Sequence, residues 1–209
     1  MNNLILLRHG QSQWNLENRF TGWEDVPLTS KGIDEAKKAG QAMMENNIRV
    51  DIIFSSILKR ANKTAELAVS EMQLDDLWIN KKLVMTCNQS LNERDYGKLV
   101  GLNKEETAKK YGNEQVHIWR RSYNIAPPGG ESLENVVDRV GPYFNKYIFP
   151  KINLGKNILI VAHGNSLRAI MIKIGLYKSN EISKIELPTG SPFVIKYESG
   201  ILKDSNYLS

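Results

Sequence analysis

Short apolar runs alternate along this chain with longer stretches of helical spacing. Leu4-Ile5-Leu6-Leu7 is a continuous apolar run that stops at Arg8, His9 and Gly10, as expected of a strand covered on both faces. From Thr29 and Ser30 a hydroxyl N-cap leads into Ile33, Ala36, Ala39, Gly40 and Met43 on one face, predicting a helix that ends near Asn46. Val50 to Phe54 reads as a strand, and Leu58 to Met72 returns to helical spacing through Ala61, Ala65, Leu67 and Ala68. The middle is less regular, with Leu83 to Thr86 a weak strand and Asn103 to Tyr111 and Glu114 to Arg121 short helices. Pro127-Pro128-Gly129-Gly130 is a turn, after which Glu131 to Tyr147 predicts another helix. Asn157 to Ala162 is the clearest buried strand. It runs into His163-Gly164-Asn165-Ser166, a helix through Leu167, Ile170, Met171 and Ile174 follows, and Phe193 to Tyr197 makes a last strand. The succession predicts an α/β fold with a mostly parallel central sheet, helices on both faces, and one domain over 1–209. Such folds collect ligands at the carboxyl ends of their parallel strands.

Composition narrows the picture. With 209 residues, 41% hydrophobic and 24% charged, the chain can bury a full core. It has no apolar run of the roughly eighteen residues a membrane span needs, and Met-Asn-Asn-Leu does not open a secretory signal, so a soluble cytoplasmic protein with no membrane partner is expected. The single cysteine, Cys87, makes no intrachain disulfide and is expected as a small buried apolar residue. A formal net charge of +5 suits an anionic partner. The basic residues are dispersed and not interleaved with aromatics, which argues against nucleic acid and for small anions. Pattern alone does not separate an interface from core, so a homo-oligomer stays open.

Two of the three histidines, His9 and His163, close buried strands and are each followed by glycine. Either one alone is an interior residue satisfied by a hydrogen bond as readily as a functional one. Together with Arg8, Arg60, Arg120 and Arg121 they describe a pocket of fixed positive charge holding a nucleophilic imidazole, since the guanidinium fork binds phosphate oxygens in pairs. The glycines are expected to let a ligand approach the backbone. The third histidine, His117, lies in a predicted helix and reads as structural.

Several stretches make the resemblance specific. Leu-Arg-His-Gly-Gln-Ser-Gln-Trp-Asn (7–15), Asn-Arg-Phe-Thr-Gly-Trp (18–23), Leu-Lys-Arg-Ala (58–61) and Leu-Asn-Glu-Arg-Asp-Tyr-Gly (91–97) are four of them. Gly-Leu-Asn-Lys (101–104), Trp-Arg-Arg (119–121), Pro-Pro-Gly-Gly-Glu-Ser-Leu (127–133) and Ala-His-Gly-Asn-Ser-Leu-Arg (162–168) are the others. Over about 4–198 the chain resembles the 2,3-bisphosphoglycerate-dependent phosphoglycerate mutases of the histidine phosphatase superfamily. Arg-His-Gly alone would point only to the superfamily. The resemblance implies His9 as the nucleophile that accepts and returns a phosphoryl group, with Arg8, Arg60 and a largely cationic His163 around it. It implies Glu93 as the general acid and base, and Ser12, Asn15, Thr21, Gly22, Tyr96, Lys104, Arg120, Arg121, Gly164 and Asn165 as substrate anchors. It implies 2,3-bisphosphoglycerate as phosphoryl primer, phosphoglycerates as substrates, and no metal.

Taken singly, Thr21-Gly22 is a turn, Tyr96 core, Lys104 a solvated helix residue and Arg120-Arg121 a surface pair; the surrounding motifs reverse those readings. Glu24, Asp25, Glu131 and Asp138 match no chemical role and read as surface or capping residues. Relative to longer family members, the segment from Pro127 to Leu133 is short and the C-terminus brief, and such insertions and tails resemble lids that exclude water. Two alternatives remain: a histidine-type phosphomonoester phosphatase using the same phosphoryl pocket, and a non-catalytic binding module. Glu93 with Lys104 and Arg120-Arg121 argues against the first, and retention of His9, Glu93 and His163 against the second.

Overall fold

The computed structural model describes residues 1–208. Its helices and strands, in chain order, are β1 (Asn2–Arg8), α1 (Gln13–Leu16), α2 (Ser30–Glu45), β2 (Ile52–Ser55) and α3 (Lys59–Glu71). Then come the short β3 (Trp78–Ile79), β4 (Lys82–Leu83) and β5 (Thr86–Cys87), followed by α4 (Lys104–Tyr111) and α5 (Asn113–Arg121). The C-terminal half holds α6 (Leu133–Tyr143), α7 (Phe149–Asn153), β6 (Ile158–Ala162), α8 (Gly164–Lys173), β7 (Pro192–Glu198) and β8 (Ile201–Tyr207).

Among the described residues, six strands form one sheet in the order β5-β2-β6-β1-β7-β8. β5, β2, β6 and β1 run parallel, and β7 and β8 are antiparallel additions at one side. The apolar strand residues split by parity, as the pleat requires. Leu4, Leu6, Ile158 and Ile160 face α6, α7 and α8, whereas Ile5, Leu7, Leu159 and Val161 face α2 and α3. Both faces are covered, so the continuous hydrophobic runs in β1 and β6 follow from burial on two sides.

Most predicted elements form close to their expected bounds. The helix expected from Glu131 begins at Leu133, because Ser132 is an N-cap whose hydroxyl accepts from Asn135 N–H while the Asn135 side chain accepts from Ser132 N–H. It ends at Tyr143 and continues as a π-helical turn, Phe144–Ile148. The expected strand from Leu83 to Thr86 is divided between a small hairpin, β3 with β4, and the edge strand β5. β8 was not expected. Its Lys203, Asp204, Ser205 and Asn206 carry no apolar alternation, since an edge strand with largely exposed residues needs none.

Cys87 corrects another expectation: it is exposed, with Sγ 3.5 Å from Asn62 Oδ1. It sits on a two-residue edge strand paired only with β2, so nothing covers its outer side, and partial burial raises its thiol pKa.

Candidate active site

Strand register brings the two histidines together. β1 and β6 are parallel neighbours with Arg8 opposite Ala162, and His9 N–H donates to the Ala162 carbonyl at 3.0 Å. The residues that follow, His9 and His163, therefore leave the sheet side by side, with ring centroids 4.9 Å apart. β2 lies on the other side of β6, with Ser55 opposite Val161, and delivers Ser56 against His163 and Arg60 on the first turn of α3.

His9 is 3% exposed, and Nδ1 lies 2.7 Å from the Gly10 carbonyl. A carbonyl only accepts, so Nδ1 carries the proton and Nε2 keeps its lone pair. Burial, then the cations Arg60 and Arg8, hold the ring well below the ordinary histidine value of 6.5, against the opposing Gly10 hydrogen bond. His9 is thus a neutral imidazole with a free nucleophilic nitrogen at neutral pH.

His163 is fully buried, its Nε2 2.8 Å from Ser56 Oγ and its Nδ1 without a partner among the described residues. Burial first, then Arg60, His9, Arg8 and Arg139, lower its pKa well below 6.5. Without a bound anion the protein's own groups therefore disfavour a proton on His163, because it would face several cations in a desolvated site; the expected cationic His163 needs a phosphoryl anion beside it.

Arg60 is 1% exposed and donates through Nη1 to the Glu24 carbonyl (2.7 Å) and through Nη2 to the Gly22 carbonyl (2.8 Å). Gly22 adopts φ +57°, so the turn that presents its carbonyl needs glycine. Burial pushes the Arg60 pKa down to about 10, still charged at neutral pH. Asp25 caps α3 by accepting from Lys59 N–H at 2.7 Å. Arg8 donates to the Leu187 carbonyl at 2.7 Å. Arg8 Nε, Arg60 Nε, Thr21 Oγ1 and His163 Nδ1 are buried and unpaired among the described residues, a set that calls for a ligand rich in acceptor oxygens.

Glu93 stands across the pocket. Its Oε1 accepts from Arg94 N–H (2.8 Å), Asn165 N–H (3.1 Å) and Asn165 Nδ2 (3.0 Å), and no described residue donates to Oε2. Asn165 lies in the first turn of α8, so its N–H is one of the amide donors that a helix N-terminus leaves free. Tyr96 Oη is held by Asn165 Nδ2 at 3.3 Å.

The outer wall is basic. Lys104 begins α4, and Arg120 and Arg121 end α5. Burial, then Arg120 and Arg8, push the Lys104 pKa down to about 8. Burial also lowers that of Arg120. Arg121 pairs with Glu186 at 3.1 Å. Seven basic side chains and two carboxylates line a cavity of about 210 Å³. That volume lies below the roughly 300–1,000 Å³ of sites for drug-sized ligands, and the charge selects a small polyanion.

Most of the expected site residues border this cavity, including Asn15, Thr21 and Gly164. His163 lies behind His9, and Gly22 acts through its carbonyl. Ser12 is completely buried as the N-cap of α1, exchanging hydrogen bonds with Asn15. Gly10 serves packing instead of ligand approach, since a Cβ there would meet the Gly32 carbonyl oxygen of α2. Sequence reasoning gave no role to Arg19, Ser56, Arg168 and Glu186, although Arg19 and Arg168 lie inside the quoted motifs. Nothing local marks Ser56 or Glu186. No cluster of three or more His, Cys, Asp or Glu able to hold a metal ion occurs among the described residues, and no described helix is long and apolar enough to cross a membrane.

A neutral nucleophilic imidazole in an arginine-lined phosphoryl pocket defines a class of phosphoryl-transfer protein, and comparison with known proteins agrees. The model of the histidine phosphatase superfamily (branch 1) matches residues 4–203. A 2,3-bisphosphoglycerate-dependent phosphoglycerate mutase from Parvibaculum lavamentivorans is 45% identical over 94% of this chain and 91% of its own length. The protein of the same name from Bartonella bacilliformis is 48% identical over 99% of this chain and 95% of its own. The chain belongs to the histidine phosphatase superfamily and, within it, to the 2,3-bisphosphoglycerate-dependent phosphoglycerate mutase family. Among solved structures, a mycobacterial glucosyl-3-phosphoglycerate phosphatase superposes with TM-score 0.80 at 23% identity, covering 99% of this chain and 97% of that one, which shows the shared fold. The short Pro127 to Leu133 connection is no anomaly beside relatives of nearly this length.

Proposed function

We propose that this protein interconverts 3-phosphoglycerate and 2-phosphoglycerate through a phosphohistidine at His9, with 2,3-bisphosphoglycerate as primer. The observation that carries the reading is the placement of Glu93, oriented by Asn165 and Arg94 N–H, in the same cavity as His9 and the basic outer wall. The names of the relatives support the substrates.

His9 Nε2 attacks a phosphoryl group, the N–P bond forms, and the ester P–O bond breaks as Glu93 passes a proton to the departing oxygen. In the return step a hydroxyl gives its proton to Glu93 and takes the phosphoryl group from His9. Arg8 Nε, Arg60 Nε and His163 Nδ1 are the donors for the equatorial oxygens, where transition-state charge collects. A phosphoryl anion against His163 Nδ1 opposes the field of the arginines and favours its protonation. Lys104, Arg120 and Arg121 hold the carboxylate and the second phosphate. Bisphosphoglycerate fits these residues because the unpaired donors and the outer wall form two anion-binding ends of one small cavity. Its chemical contribution is the phosphoryl group that loads His9.

Supplied with 3-phosphoglycerate and a trace of bisphosphate, the protein should yield 2-phosphoglycerate as the main product. Free phosphate as the main product would overturn the mutase reading in favour of a phosphatase.

A further inference from the structure

Glu131 and Arg139, which no part of the proposed chemistry uses, lie directly behind the residue that moves the proton. Arg139 projects from α6, and its Nε and Nη2 grip the two oxygens of Glu131 at 2.7 and 2.9 Å. The same guanidinium donates to three backbone carbonyls around Glu93: Ser90 at 2.9 Å, Asn92 at 3.1 Å and Glu93 itself at 2.9 Å. Glu131 Oε2 also accepts from Asp95 N–H at 2.8 Å, on the far side of Glu93. Trp23 Nε1 supplies a second donor, 2.6 Å from the Glu93 carbonyl.

The Pro127 to Gly130 turn completes the arrangement. Glu131 N–H donates to the Asp95 carbonyl at 2.8 Å and Lys98 N–H to the Pro128 carbonyl at 2.9 Å. Gly97 packs so closely here that a Cβ would run into the Gly129 and Gly130 backbone. The ion pair is half-buried, its two side chains 19% and 21% exposed. Its electrostatic contribution to stability is accordingly modest, whereas its geometry is demanding. A lysine ammonium could satisfy the charge of Glu131 but could not span three carbonyls and a carboxylate at once.

We infer that Arg139, fixed by Glu131, is a positioning residue that sets the backbone of residues 90–95 and thereby aims the Glu93 carboxylate at the oxygen to which it delivers a proton. Without this clamp the Glu93 carbonyl keeps only Trp23, and residues 90–93 lose their hydrogen bonds to α6, leaving only the apolar packing of Leu91 against it. An error of about 1 Å in a reacting group can lower turnover by about 100-fold. The inference rests on the proposed role of Glu93.

A double-mutant cycle tests it. Arg139→Lys should lower kcat by about 10- to 100-fold with KM for 3-phosphoglycerate within about twofold of wild type. In a Glu93→Gln background, where no proton is left to aim, the same substitution should bring no further fall. Glu131→Gln, which keeps an acceptor for Asp95 N–H, should follow the same pattern with a smaller loss, and it serves if Arg139→Lys does not fold. Equal falls in both backgrounds, or wild-type kcat in both single variants, would overturn the positioning role. Wild-type products are identified in parallel. If they are mainly free phosphate, the mutase reading fails, and the cycle scored on phosphate release still decides the role of Arg139.

Discussion

His9 and His163 stand at the ends of neighbouring buried strands, at 3% and 0% exposure, with ring nitrogens engaged by a backbone carbonyl and by Ser56. Lys104, Arg120 and Arg121 reach the same cavity from two short surface helices and are half-buried or exposed. The inner wall is set by sheet register and by hydrogen bonds to the backbone, so its geometry is in place before any substrate arrives. The outer wall depends on long cationic side chains, one of which is paired with Glu186 at 74% exposure. A reaction that transfers a phosphoryl group to a fixed nitrogen needs the first kind of wall. Substrates presented in two orientations need the second, because flexible cations adapt to either.

The contrast is broken most severely by His9→Ala. Removing the nucleophile should abolish acid-labile label from labelled 2,3-bisphosphoglycerate and lower kcat by on the order of 10⁴-fold or more. Equal label in wild type and variant would place the phosphoryl group elsewhere.

Substitution in the outer wall should act chiefly on binding. Loss of a charge-assisted hydrogen bond in Lys104→Gln, worth about 1.5 kcal/mol, should raise KM about tenfold and leave most of kcat. The depressed Lys104 pKa sharpens this. Its charge is lost as pH rises through about 8, so kcat/KM of wild type should decline there, and Lys104→Arg should remove that decline. An unchanged pH profile in Lys104→Arg would separate Lys104 from substrate binding.

The smallest effect is on stability. His9 and His163 have folded-state pKa values lowered below their unfolded value, so between the two the unfolded chain binds more protons. Stability is therefore full above about pH 6.5 and is lost as pH falls below it. The melting temperature should drop by a few degrees between pH 7.5 and 5.5, and by less in His9→Gln. No difference between variant and wild type would mean that His9 is not held neutral by its surroundings.

The inner wall was largely legible in the sequence. Leu4 to Leu7 and Ile158 to Ala162 are unbroken apolar runs, and whatever follows a doubly covered parallel strand lies at the ligand-binding edge. Part of the local chemistry was misread. Gly10 packs on Gly32 of another element, and the His163 pKa is lowered by burial and then by Arg60, His9, Arg8 and Arg139. Neither fact leaves a mark near the residue it concerns. β8 and Cys87 escaped for a related reason, since edge positions are not obliged to be apolar in alternation or buried.

The sequence by itself determined the α/β succession, the two histidines at strand ends and the family, because periodicity and motif are short-range properties of the chain. Only the tertiary structure decided that His9 presents Nε2, that burial and neighbouring cations lower the His163 pKa, and that Glu93 is held from three directions by Trp23, Asn165 and the Glu131–Arg139 pair. The physical reason is distance along the chain. The groups that aim Glu93 lie within a few ångströms of it in space but 38 residues away in sequence for Glu131 and 72 for Asn165, Arg60 and Arg8 are farther still from His163, and no local pattern encodes such meetings.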